Sequence, residues 1–326
     1  MRAVVIAALL VASVMPMADA WWCTGHMTIA QIAKSVMDAQ AVSNVNAIIG
    51  NLSAAGPFPQ SPDMVQVACW ADDLKSDGLY AMKSWHFINQ VYDPTNFPAT
   101  GHVQEENVES VITQMDTAAK RNRYSDAKQW ILQFAVANMI HFYGDIHQPL
   151  HAAELFSAIY PNGDEGGNAE KVTVDGTSTN LHAIWDSICW EYNQELKRPL
   201  NPTDLQTIVT FANYLMQTYT FTAAQKAQFN STIMAQESLA AAASTAYPGT
   251  SNGMTITPDY LAKCKPVAEG RVALAGYRLG TQLQYLFGSQ FTTAEIATKA
   301  QRHVAELFVA RRSSARAAYK ARVARN

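Results

Sequence analysis

Trp130-Ile-Leu-Gln-Phe-Ala-Val-Ala-Asn-Met-Ile-His-Phe-Tyr-Gly-Asp145 is the stretch from which the rest of this chain can be read. Ile131, Phe134, Ala135 and Met139 recur at offsets of three and four, the spacing of one face of an α-helix. His141 and Asp145 stand four apart at its end, so a helix sets imidazole and carboxylate on one face, within reach of one metal ion. Pro149 then ends the helix and turns the chain back, bringing in His151 at the close of Ile146-His-Gln-Pro-Leu-His151. A second pair of the same spacing follows in His182-Ala-Ile-Trp-Asp186. One such pair is common in a hydrogen-bonded core. Two, with a histidine between them, point to metal, and imidazole with carboxylate suits zinc. The cysteines offer no competing set, because none stands in a C-x2-C pair.

Helical spacing also dominates on either side. Ile29, Ile32, Ala33 and Val36 repeat it near the start, and further helices are expected over roughly 204–220, 222–244 and 267–287. The strand signal is confined to Lys171-Val-Thr-Val174 before Asp175-Gly176, which reads as one small hairpin. Stretches 54–63, 92–102 and 157–168 are rich in Pro, Gly and Asn and read as loops. No internal repeat or low-complexity linker divides the chain. The expectation is an all-α fold, a single mainly helical domain with at most a small β-hairpin.

The 326 residues, 48% hydrophobic, supply one large core. A net charge of −3 argues against a broad basic surface for gripping nucleic acid, so any such grip must be local. Met1 and Arg2, the apolar run Ala3 to Val14 and Ala18-Asp19-Ala20 read as a secretory signal peptide cleaved after Ala20. Cleavage there makes Trp21 the first residue of the mature chain. No later stretch has about 18 uninterrupted apolar residues, so no transmembrane anchor is expected. The four cysteines, Cys23, Cys69, Cys189 and Cys264, suggest two disulfides with three connectivities open. Asn51-Leu-Ser53 and Asn230-Ser-Thr232 fit the N-glycosylation pattern. From Ala310 onward Arg311, Arg312, Arg316, Lys320, Arg322 and Arg325 stand among alanines without an acid, either a solvated terminal helix or a tail for an anionic surface.

The run from His141 to His151, then Gly166-Gly-Asn168 and Asn180-Leu-His-Ala-Ile-Trp-Asp186, resembles the central signature of the S1/P1 nucleases. Trp21-Trp-Cys-Thr-Gly-His26 resembles the mature start of that family, and Trp70-Ala-Asp72, Trp85-His86-Phe87 and Ala275-Gly-Tyr-Arg278 resemble its further motifs. The Trp-Trp start and the length resemble in particular its trypanosomatid 3′-nucleotidase/nuclease branch. The resemblance implies a fold of the phospholipase C/P1 nuclease type. It divides the chain into a signal peptide (1–20), a zinc-dependent nuclease domain (21–290) and a basic helical extension (291–326).

It further implies three zinc ions. Asp72, His86, His141 and Asp145 would hold one. His26, with the amino nitrogen and carbonyl oxygen of Trp21, would hold a second that shares Asp145. His151, His182 and Asp186 would hold the third. The Trp-Ala-Asp register favours Asp72 over the adjacent Asp73. Lys75 and Asn168 match phosphate-contacting positions, against readings as a surface lysine and a turn residue. Phe87 matches a base-stacking position, against a core phenylalanine. Asn89 stands where some members carry an aspartate, which implies altered or relaxed base preference. His102, His147 and His303 are left as non-ligands, His147 either orienting a neighbour or exposed. Bringing Trp21 and Asp72 together favours Cys23–Cys69 and Cys189–Cys264 pairing. The implied activity is hydrolysis of single-stranded RNA and DNA to 5′-nucleotides and removal of 3′-phosphate, in the secretory pathway, outside the cell or in the endolysosomal lumen. The alternatives are a zinc-dependent phospholipase C and a non-catalytic zinc-binding secreted protein.

Overall fold

The computed structural model describes residues 21–288, apart from 55–57, 99–100, 102, 124–128 and 195. The expected signal peptide, the basic tail, His102 and His303 therefore lie outside the described residues. The centre is α5 (Gln129–Asp145), in which every residue from Ala135 to Asp145 is buried. A helix enclosed on all sides needs apolar or small residues all round, and Ala135, Val136, Ala137, Met139, Ile140 and Phe142 supply them. Around it stand α1 (Cys23–Val36), α2 (Ala39–Ala54), α3 (Trp70–Ser76) and α4 (Val108–Asn122). The C-terminal half adds α6 (Leu181–Asp186), α7 (Pro202–Thr218), α8 (Ala223–Lys226), α9 (Ser231–Ala241) and α10 (Pro258–Phe287).

Polar side chains fix where several helices begin. The side-chain oxygens of Asn107, Asn180, Asn201, Thr222, Asn230 and Thr257 accept backbone N–H groups of the first turns that follow them. These caps explain two departures from the sequence reading. The expected helix 222–244 is interrupted: Thr222 and Gln225 form a capping box around the short α8, and Asn230 then starts α9, which runs into a π-helical turn at Ala242–Ala246. The expected helix 267–287 begins instead at Pro258, behind the Thr257 cap, and passes through Pro266 without ending. Proline there removes one backbone donor, a loss that a 30-residue helix packed along α1 withstands.

The expected hairpin is present as β3 (Lys171–Val174) and β4 (Thr177–Asn180), antiparallel, with positive φ at Asp175 and Gly176 in a two-residue turn. A second, parallel pair is added to it: β1 (Gln90–Tyr92) lies beside β2 (Ala153–Leu155), Gln90 opposite Ala153. Three residues per strand carry too little alternation to be read in sequence, yet this pair holds the segment after His86 against the segment after His151. Disulfides join Cys23 to Cys69 and Cys189 to Cys264. Among the described residues no helix is long and apolar enough to cross a membrane.

Candidate metal centre

Three elements converge on the C-terminal turn of α5. His141 and Asp145 come from that turn, His26 from the first turn of α1, Asp72 from α3, and His86 from the end of a 3-10 segment, Tyr80–His86. All five side chains are buried. Trp21 is sealed beneath them, its indole Nε1 donating to the carbonyl of Gly144 at 3.0 Å. Gly144 has to be bare, since a Cβ there would stand 2.6 Å from His26 Nδ1.

The two oxygens of Asp145 face different partners. Oδ1 lies 3.2 Å from His26 Nε2, whereas Oδ2 lies 3.0 Å from His86 Nδ1 and 3.2 Å from His141 Nε2. Asp72 Oδ1 adds approaches of 3.4 Å to His86 and 3.7 Å to His141. A few residues along, His151 Nε2 and His182 Nε2 are 3.1 Å apart, and Asp186 Oδ2 is 3.3 Å from His182. Three buried groups result: His26, His141 and Asp145; Asp72, His86 and His141; His151, His182 and Asp186.

Hydrogen bonds settle which ring nitrogens face inward. His141 Nδ1 donates to Ala68 O, His151 Nδ1 to His86 O and His182 Nδ1 to Gly166 O, each at 2.6 Å. A carbonyl only accepts, so each Nδ1 carries a proton and each Nε2 is left for the cluster. Burial holds His151 down to about 4 and, with neighbouring His151, His182 down to about 3, so both are neutral near pH 7. Two lone pairs thus face one another across 3.1 Å, an unfavourable contact that a cation between them removes. Tetrahedral zinc bonded at about 2.0–2.1 Å to nitrogen sets ligands about 3.3 Å apart, close to the 3.1 and 3.3 Å separations found here. Both ring nitrogens of His26 and Oδ1 of Asp145 are likewise buried without a hydrogen bond. The donor set fits zinc.

Charge tells the same story. Burial by itself would raise both carboxyls, but Lys75, His141 and His86 hold Asp72 low, and His141, His26 and His86 hold Asp145 well below the usual carboxylate range. Burial would lower His141, yet Asp145 and Asp72 raise it to about 9. Two buried carboxylates demand positive charge, which a proton on His141 or a cation held between these side chains can supply.

Other expected residues fall as follows. Asp73 turns away from the cluster into a two-pronged pair with Arg198, at 2.6 and 3.1 Å, which leaves Asp72 as the ligand candidate. Lys75 is buried rather than on the surface, its Nζ 3.0 Å from Asp72 Oδ1. His147 is fully buried, not exposed: Nδ1 donates to Tyr143 O and Nε2 accepts from Arg278, whose guanidinium also pairs with Glu237. Phe87 is half-buried and immediately follows His86. Asn89 holds φ at +49°, a region asparagine tolerates better than most residues. Asn168 Nδ2 donates to Glu165 O within its own turn, beside the Gly166 carbonyl that holds His182. Sequence reasoning passed over Gly144 and Gln148. The only signal for either was its place in the run from His141 to His151, Gly144 next to Asp145 and Gln148 three residues before His151.

Comparison with known proteins agrees with this geometry. The family model described as S1/P1 Nuclease matches residues 21–288. Endonuclease 4 of Arabidopsis thaliana is 28% identical over 291 residues, covering 83% of this chain and 90% of the relative. Nuclease S1 of Aspergillus oryzae is 26% identical over 288 residues, covering 82% and 91%. Nuclease P1 of Penicillium citrinum is 29% identical over 177 residues, covering 51% and 57%.

Proposed function

Because the chain belongs to the S1/P1 nuclease family, we propose that it is a secreted trinuclear-zinc hydrolase that cuts single-stranded RNA and DNA to 5′-nucleotides and removes 3′-phosphate from nucleotides. The observation that carries this reading is the divided aim of Asp145, one oxygen toward His26 and the other toward His86 and His141, with the group His151, His182 and Asp186 beside it. His86 joins the two parts, its ring in one and its carbonyl holding His151 in the other. Zinc bound there supplies Lewis acidity toward phosphoryl oxygens and lowers the pKa of water.

The chain's own residues supply position and charge. Asp145 would be shared by two ions, with Asp72, His86 and His141 completing one site and His26 and Trp21 the other. Release of residues 1–20 would give Trp21 an amine with a free lone pair, which a peptide nitrogen lacks. Lys75, held against Asp72, would meet the negative charge on phosphoryl oxygens, and Asn168 would donate to them from the glycine turn. Phe87 would stack a nucleobase. Stacking tolerates any base but requires it to leave the duplex, which gives preference for single strands. Asn89, offering both donor and acceptor, would relax the choice of base. The curated relatives are named as nucleases, which favours this reading over a phospholipase C or a non-catalytic zinc-binding protein.

The test is turnover of single-stranded RNA, duplex DNA and 3′-AMP, before and after chelation. Unstacking costs a few kcal/mol, so single strands should be cut roughly a hundredfold faster than duplex. Products should carry 5′-phosphate, 3′-AMP should release phosphate, and chelator should abolish all of it until zinc is restored. Equal cutting of duplex, or activity that survives chelation, would overturn the reading.

A further inference from the structure

Gln148 lies between His147 and Pro149, is fully buried, and uses both ends of its amide. Its Oε1 accepts the backbone N–H of Leu150 at 2.5 Å, and its Nε2 donates to Asp186 Oδ1 at 2.7 Å. The first bond shapes the turn that presents His151. The second occupies one oxygen of Asp186, while the other, Oδ2, faces His182 at 3.3 Å. One side chain therefore links the His151 turn to the end of α6, across 38 residues of sequence. We propose that Gln148 is a positioning residue for the His151, His182 and Asp186 site: it selects which Asp186 oxygen is offered to the metal and locks that carboxylate in register with the two imidazoles.

The chemistry is specific to an amide. A free carboxylate rotates about its terminal torsion and can turn either oxygen, or both, toward a cation. An N–H on Oδ1 removes that freedom, and partners of this kind change metal affinity by about 10- to 100-fold when lost. Backbone support for Asp186 is separate, since its carbonyl accepts the N–H of Trp22 at 3.0 Å, so the side-chain effect can be read alone.

The inference rests on the zinc reading above. Gln148→Glu, assayed at alkaline pH, is the discriminating variant, because the ionised carboxylate keeps an acceptor for Leu150 N–H and presents no donor to Asp186. Native mass spectrometry across a chelator series counts the zincs retained, with His182→Ala marking the signature of the emptied third site. Gln148→Glu should lose one zinc at a chelator concentration about 10- to 100-fold lower than wild type, with the other two held as tightly as before. Circular dichroism should match wild type. If Gln148→Glu does not fold, Gln148→Met, of similar length and without the amide, takes its place in the same assay. Three zincs held with wild-type affinity, or equal weakening of all three, would overturn the inference. A wild-type protein that never holds a third zinc would overturn the zinc reading and this inference with it.

Discussion

The carboxyl groups of Asp145 and Asp164 are both sealed from water, yet they shift in opposite directions. At Asp145 the surrounding imidazoles outweigh burial and hold the group ionised. At Asp164 burial wins and, with the charge of Glu170 nearby, raises it to about 7 against hydrogen bonds from Leu155 N–H, Tyr247 Oη and Gly167 N–H. Tyr160 also stands close enough to feel its charge. A carboxyl whose pKa is higher folded than unfolded keeps a proton that the unfolded chain has already released between about pH 4 and pH 7. Its contribution to stability therefore falls as pH rises through that window and is constant above it. Asp164→Asn keeps an acceptor for Leu155 and Tyr247 and cannot ionise. Urea denaturation should show it matching wild type near pH 4 and exceeding it at pH 8 by up to a few kcal/mol; parallel stabilities at the two pH values would refute the assignment. Residue-scale facts of this kind were the least legible in sequence. His141, Asp145, His182 and Asp186 announced themselves by spacing, whereas the burial of Lys75, His147 and Asp164 depends on which distant element covers them.

Two helices meet most closely along α1 and α10, and glycines set that approach. A Cβ on Gly280 would lie 2.8 Å from Ala33 O and 2.9 Å from Ala33 Cα, backbone atoms that cannot swing aside. Gly270, on the same helix, would place its Cβ 3.6 Å from the Tyr219 ring, an ordinary contact. Helix propensity favours alanine over glycine by about 1 kcal/mol at either position. Overpacking costs about 1–3 kcal/mol and arises only at Gly280. Thermal unfolding should accordingly show Gly270→Ala more stable than wild type and Gly280→Ala less stable. A gain at both positions would mean the seam is looser than described. Element existence was legible from periodicity, as with α5, but element ends were not. Asn230 and Thr257 start α9 and α10 through single side-chain hydrogen bonds, and one asparagine among many polar residues carries no periodic signal. Pro266 lies inside α10, because a barrier to an isolated helix is tolerated once tertiary packing holds both flanks.

At the scale of the molecule, the cluster depends on pieces far apart in the chain being pinned together. Cys23–Cys69 ties the start of α1, next to His26, to the segment just before Asp72, and Cys189–Cys264 ties the region after Asp186 to α10. Those pairings were the ones favoured in sequence, because the ligand set implied by the family resemblance brings Trp21 and Asp72 together. A chain of net charge −3 that acts on polyanions needs its positive charge delivered locally, and three divalent ions in a buried site would do so. The most direct test is elemental analysis of zinc per chain in the purified wild-type protein and in Asp145→Asn, each paired with turnover of single-stranded RNA. The account predicts three zincs for wild type, a loss of metal from the paired site in Asp145→Asn, and turnover lower by on the order of a thousandfold or more. An Asp145→Asn protein that keeps three zincs and normal turnover would contradict it.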